Sequence, residues 1–165
     1  LTAQKNFSYL ISEFSNFLRK NNNYVLVILG EGEEKNNLLK MVEKNKLSKH
    51  VYFLGKVNNV YDFMKSSDVF VLSSLWEELG FVIAEAALNN LFIISSDCPN
   101  GPKEFLSYGK NGIIYESNKK NSLVYALNKY TEMNNHIEKI LNAKKNSRKY
   151  TKFNHHKTLV NSILN

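Results

Sequence analysis

Two glutamates eight positions apart, Glu77 and Glu85, flank Gly80 in the stretch Ser73-Ser74-Leu75-Trp76-Glu77-Glu78-Leu79-Gly80-Phe81-Val82-Ile83-Ala84-Glu85-Ala86. The pattern reads as a strand end, a polar loop and a helix that opens near Gly80. The unpaired N–H groups of a helix's first turn point outward, with the positive end of the helix dipole behind them. That arrangement suits a phosphate or the oxygens of a sugar. Carboxylates such as Glu77 and Glu85 accept hydrogen bonds from vicinal hydroxyls. The same residues also fit a plainer role, with Glu77 and Glu78 complementing the helix N-terminus and Glu85 capping or pairing locally. A second glycine-bearing turn, Gly30-Glu31-Gly32, lacks the third glycine of a dinucleotide fingerprint. Cys98 has no histidine near it in sequence and reads as a structural thiol; the pair His155-His156 reads as surface residues on a polar tail.

The elements that must position these residues alternate in type. Phe7, Leu10, Ile11, Phe14, Phe17 and Leu18 recur at helical spacing. Tyr24 to Leu29 is a strand closed by the glycine turn, and Leu38, Leu39, Val42 and Leu47 mark a second helix. Val51 to Leu54 is a strand, Val60 to Lys65 a short helix, and Val69 to Leu72 a strand. Phe81 to Leu88 is a helix, Leu91 to Ser95 a strand, and Pro99 to Pro102 a turn. A short helix at Glu104 to Ser107 and a strand at Gly112 to Tyr115 follow. Helices are expected at 121–133, 136–149 and 154–164. Such alternation predicts an α/β fold, a Rossmann-like parallel sheet with helices on both faces. Sheets of this kind bind ligands beyond the carboxyl ends of their strands.

Composition narrows the class. The chain has 165 residues, 43% of them hydrophobic and 12% aromatic, which fits one domain with a real core and excludes a disordered chain. A single cysteine excludes an internal disulfide framework and a multi-cysteine zinc site. No apolar run has the length of a membrane span. The net charge of +7 is uneven: residues 1–102 hold 10 basic and 11 acidic side chains, residues 103–165 hold 12 and 4. The basic end, including Lys144, Lys145, Arg148, Lys149 and Lys152, is open to an anionic membrane surface, to a polyanion, or to packing against another domain. Of the 22 basic residues, only Arg19 and Arg148 are arginine, which argues against nucleic acid, because base readout favours the arginine fork. A basic nucleotide- or nucleic-acid-binding module without catalysis is the alternative reading from composition alone.

The segment Trp76 to Leu88 resembles the E-x7-E motif of family 4 glycosyltransferases, retaining enzymes of GT-B architecture. The likeness extends on both sides in the right order, over about residues 1 to 130. Leu1 to Phe7 resembles the loop after the first strand of that family's C-terminal domain. Val51-Tyr52-Phe53-Leu54-Gly55 and Asp68-Val69-Phe70-Val71-Leu72-Ser73-Ser74 resemble two of its strands. Ser95 to Glu104 resembles the S-D-x-x-G-x-x-E turn of a capsule and lipopolysaccharide-type subgroup, and Asn111 to Tyr115 its N-G-x-L-V strand.

The resemblance implies a donor-binding domain for a nucleoside-diphosphate sugar, UDP by family frequency. It implies that Glu85 holds the ribose hydroxyls, Glu77 contacts the transferred sugar and Lys5 neutralises the diphosphate. Backbone groups of Leu79, Gly80, Phe81 and Val82 would meet the sugar and diphosphate. Lys56 and Val57 would touch the base, and Gly30 and Gly32 would admit the donor closely. No cofactor or metal is implied. The partners implied are the nucleotide sugar and an N-terminal acceptor domain outside this chain, together with the first strand of the domain and an arginine just upstream of Leu1. A cytoplasmic location follows, with peripheral contact at the inner face of the membrane. Leu79 departs from the phenylalanine or proline common in the family, and Asn89-Asn90 from its small residue and glycine.

Overall fold

A computed structural model describes residues 1–77 and 80–150. The chain opens with a 3₁₀ turn, Ala3–Lys5, followed by α1 (Phe7–Leu18), β1 (Leu26–Leu29), α2 (Lys35–Lys44), β2 (Val51–Gly55), α3 (Val60–Lys65) and β3 (Val69–Leu72). Then come α4 (Phe81–Leu88), β4 (Phe92–Ser96), α5 (Pro102–Phe105), β5 (Ile113–Tyr115), α6 (Ser122–Glu132), α7 (Ile137–Ser147) and a last 3₁₀ turn, Arg148–Tyr150. The helix expected at 154–164, the tail from 151 onward with His155 and His156, and Leu79 lie outside the described residues.

Strand β4 explains the layering. All five of its residues are buried, as expected of a parallel strand covered on both faces. Its side chains alternate. Phe92 and Ile94 join one core with Phe14 and Phe17 of α1 and Leu123 of α6. Ile93, with Leu91 just before the strand, joins a second core with Ile83 of α4, Phe105 of α5 and Ala143 of α7. The helices therefore sit on both faces, and every strand pairing is parallel.

The expected parallel pairing is present, in two pieces. Among the described residues there are two sheets, β1–β2 and β3–β4–β5. Leu26 stands opposite Val51 in the first, and Val69 opposite Phe92 in the second. β1 and β3 are edges and do not pair with each other. Helix boundaries also shift slightly. The second helix begins at Lys35, earlier than its apolar positions, because Leu38 and Val42 are its only buried residues and polar turns precede them. The short helix after Gly101 begins at Pro102, whose missing N–H is harmless at a helix's first position.

Candidate functional site

The strands run parallel within each sheet, so the loops after β1 and β2 leave one edge of the first sheet and those after β3 and β4 one edge of the second. The opening segment, residues 2–6, is laced across the end of β3. The Leu75 N–H donates to the Gln4 carbonyl at 2.9 Å, and Gln4 Nε2 donates to the Trp76 carbonyl at 2.8 Å. Ser73 Oγ donates to the Lys5 carbonyl at 2.6 Å. This lacing brings two of the expected site residues together: Lys5 Nζ lies 2.8 Å from Glu77 Oε1.

Glu77 is held from several sides. Its side chain is 8% exposed, while that of Lys5 is 38% exposed. Ser74 Oγ donates to the same Oε1 at 2.5 Å. Ser74 in turn offers its carbonyl to Ser96 Oγ at 2.7 Å, which ties the loop to the end of the central strand β4. A buried carboxylate costs stability unless it is hydrogen-bonded and paired, and here it is both. The ammonium of Lys5 remains reachable from solvent, so an incoming anion can share it without first unburying it.

Helix α4 opens as its sequence suggests. Gly80 adopts a left-handed conformation, φ 57°, which an L side chain resists. The first helical bond runs from the Ile83 N–H to the Gly80 carbonyl at 2.9 Å. The Phe81 and Val82 N–H groups therefore precede the helical ladder, in the position that favours anions. Glu85 lies one turn further and is half-buried. Among the described residues it makes no ion pair, so the local pairing considered for it is not formed there.

The two glycines of the first turn differ. A side chain on Gly30 would meet only open space, and its φ of 114° suits glycine. A side chain on Gly32 would run into the backbone of Leu1. Gly32 thus allows close packing between two chain segments. Lys56 and Val57 line the same cavity as Lys5, Gly30, Ser73 and Ser74.

Sequence reasoning assigns Ser73 and Ser74 no role of their own, although two serines directly after a strand and before an acidic loop are a recognisable signal. Gln4 and Ser96 carry no such signal, since their partners are 72 and 22 positions away. Cys98 is buried, and burial pushes its thiol upward, with a hydrogen bond from Ser96 offsetting part of that. It is a poor nucleophile there. Among the described residues no three His, Cys, Asp or Glu side chains gather as metal ligands. None of the described helices is long and apolar enough to cross a membrane. On the basic end, Lys139 donates to the carbonyls of Gly109 and Lys110, and Lys144 to Asn90 Oδ1. These lysines hold α7 against the rest of the fold.

The described residues form a parallel α/β domain with a carboxylate, an ammonium and a helix N-terminus near its strand ends. The chain belongs to the glycosyl transferases group 1 family, whose model matches residues 1–150. An uncharacterised glycosyltransferase of Methanocaldococcus jannaschii is 42% identical over 127 residues, covering 69% of this chain and 31% of that protein. The UDP-Gal:alpha-D-GlcNAc-diphosphoundecaprenol alpha-1,3-galactosyltransferase of Escherichia coli is 35% identical over 146 residues, covering 86% and 36%. The chain thus spans about a third of the length of these relatives. Among solved structures, a S. aureus TarM variant in complex with fondaparinux, alpha-GlcNAc-glycerol and UDP superposes with a TM-score of 0.88 at 24% identity, over 98% of this chain and 33% of that one. Anabaena HepE in complex with UDP gives 0.83 at 21% identity, over 98% and 46%. The likeness in fold is close, and it is that of the C-terminal domain of GT-B glycosyltransferases.

Proposed function

We propose that this chain is the donor-binding domain of a retaining glycosyltransferase that moves a hexose-type sugar from UDP to an acceptor hydroxyl in cell-surface glycan synthesis. The observation that carries the reading is the meeting of Lys5 and Glu77 at 2.8 Å beside the opening of α4. In this scheme Glu85 anchors the ribose hydroxyls and Glu77 orients the sugar. Lys5 and the N–H groups of Phe81 and Val82 take the diphosphate. Negative charge grows on the departing phosphate in the transition state, and a fixed cation there lowers the barrier. Gly30, Lys56 and Val57 border the place of the base. The scheme calls for no metal or cofactor. The acceptor is held by a further domain, and the basic face of α7 meets an anionic membrane from the cytoplasmic side. UDP as the base is supported by relatives and fold neighbours whose names carry it.

Calorimetric titration of the chain with UDP, GDP, ADP and a short DNA duplex, at two salt concentrations, tests this. Saturable binding of UDP that is lost on Glu85→Ala is the expected result. DNA binding that falls steeply with salt, without preference among the nucleotides, overturns it in favour of a basic polyanion-binding module.

A further inference from the structure

The sequence holds two Asn-Gly pairs, Asn100-Gly101 and Asn111-Gly112. They are the same dipeptide in opposite surroundings. Asn111 is 9% exposed, and its Nδ2 donates to Ser107 Oγ at 3.1 Å. Its own N–H donates to the Leu106 carbonyl at 3.0 Å. A side chain on Gly112 would meet the Ile93 carbonyl at 2.6 Å, so the backbone after Asn111 is packed against β4. Asn100 is exposed, in the turn between β4 and α5. Among the described residues, neither its side chain nor the Gly101 N–H has a hydrogen-bond partner.

Both residues of the exposed pair hold left-handed backbone, with φ 68° at Asn100 and 117° at Gly101. Asparagine enters that region more readily than most residues, and glycine enters it freely. Glycine also has no side chain to screen its own amide nitrogen. That nitrogen lies one five-membered ring away from the side-chain carbonyl carbon of the preceding asparagine, and here no hydrogen bond has to break before it is used. The turn also touches the candidate site. The Glu77 N–H donates to the Pro99 carbonyl at 3.4 Å, one residue before Asn100. Asp97 is pinned by Lys103 at 3.6 Å and by the Ser117 N–H at 2.8 Å, and α5 starts at Pro102. The turn is therefore fixed at both ends and open in the middle.

We propose that Asn100 is a site of spontaneous deamidation whose product loosens the support of Glu77. The Gly101 nitrogen bonds to Asn100 Cγ, the Cγ–Nδ2 bond breaks, and the proton of the Gly101 N–H leaves with Nδ2 as ammonia. Water then adds to one carbonyl of the five-membered imide and breaks its bond to the Gly101 nitrogen, which regains a proton. Opening at Cγ gives aspartate, and opening at the main-chain carbonyl gives isoaspartate. Water is the only co-reactant, and nothing is oxidised or reduced. Either product places a new carboxylate in the turn, and isoaspartate adds a carbon to the main chain between Pro99 and α5. Aspartate keeps access to the left-handed turn. The longer isoaspartyl chain does not fit it, so the Pro99 carbonyl is drawn off the Glu77 N–H. Asn111 is spared, because its amide must first leave Ser107 and turn within packed chain.

The test uses no nucleotide, so its outcome is independent of donor binding. The chain and its Asn100→Ser variant are aged in mildly alkaline buffer, both folded and in urea. Digestion and mass spectrometry then map aspartate and isoaspartate at positions 100 and 111. In the folded chain, conversion at Asn100 is expected to outpace that at Asn111 by about tenfold or more, the factor that a lost hydrogen bond and a local opening impose. In urea the two positions are expected to convert at similar rates. The aged chain is expected to exchange the Glu77 amide hydrogen about fivefold faster than the fresh one, and the aged Asn100→Ser protein at an unchanged rate. Equal conversion at the two positions in the folded chain, or an Asn100 that stays intact there, overturns the site. Unchanged Glu77 exchange in the converted chain, or equal acceleration in aged Asn100→Ser, overturns its link to Glu77.

Discussion

Lys5 and Glu77, 72 residues apart in sequence, meet at 2.8 Å with the ammonium outermost and the carboxylate buried. The order of burial decides the chemistry. The carboxylate is fixed by Ser74 and packed under the loop, so it keeps its place when the lysine is drawn elsewhere. The ammonium can turn toward a phosphate while staying within reach of Glu77.

Replacing Lys5 separates these roles. A charge-assisted hydrogen bond contributes roughly 1.5–3 kcal/mol, or about ten- to hundredfold in affinity. Lys5→Met is expected to weaken UDP by that factor and to leave uridine binding unchanged. Calorimetry on both ligands checks this. Equal loss for uridine would mean that Lys5 acts through the fold and makes no contact with the diphosphate.

Ser74→Ala removes a donor from a buried carboxylate. The expected loss is about 1–3 kcal/mol of unfolding free energy, the cost of leaving a buried polar group short of a partner. Ser73→Ala, which releases the Lys5 carbonyl instead, is expected to cost less, because that segment keeps its bonds through Gln4. Urea unfolding of the two variants ranks them, and the opposite order would place the anchor of the loop at Ser73.

Glu13 is a second buried carboxylate, and its role is structural. It is 3% exposed and accepts from the Asn121 N–H at 3.1 Å and the Val124 N–H at 3.3 Å. These are donors at the start of α6, so a side chain on α1 caps a helix more than a hundred residues away. Glu13→Ala is expected to cost roughly 1–3 kcal/mol and Glu13→Gln less, because the amide oxygen still accepts. Denaturant midpoints check the order, and UDP affinity is expected to stay unchanged in both.

These residues also mark where the sequence is legible and where it is not. The apolar spacing of Phe7 to Leu18 predicts α1, and the structure gives those bounds. The run Leu91 to Ser95 predicts a strand, and the structure places β4 at Phe92–Ser96 with all five residues buried. Periodicity is local, so it carries such elements well. Glu13 sits inside that helix pattern, yet nothing local says that its carboxylate serves α6. The Lys5–Glu77 pairing and the Ser96–Ser74 link are non-local in the same sense. The split into two sheets was also illegible, because strand patterns give the existence of β1 and β3 but not which edges meet.

Alkaline pH offers a last test of the packing around β5. Tyr115 is buried, donates to the Leu72 carbonyl at 3.0 Å and stacks on Tyr9 at 6.2 Å. Tyr9 donates to the Lys119 carbonyl at 2.8 Å. Burial pushes the Tyr9 hydroxyl from its ordinary 10.0 up to about 12, the N–H of Leu123 lowering it in part and Glu13 raising it further. Burial drives Tyr115 upward further still. The folded state therefore keeps these protons above pH 10 while the unfolded chain releases them, so the unfolded state binds fewer protons and stability falls with rising pH. Full stability is expected below pH 10, with a progressive loss from pH 10 to 12 and beyond. Tyr115→Phe should flatten that loss while lowering stability at neutral pH, where its hydrogen bond to Leu72 is missing. Urea midpoints at pH 8, 10 and 11 distinguish these effects. An equally steep alkaline loss in Tyr115→Phe would assign the titration to other groups, the lysines first among them.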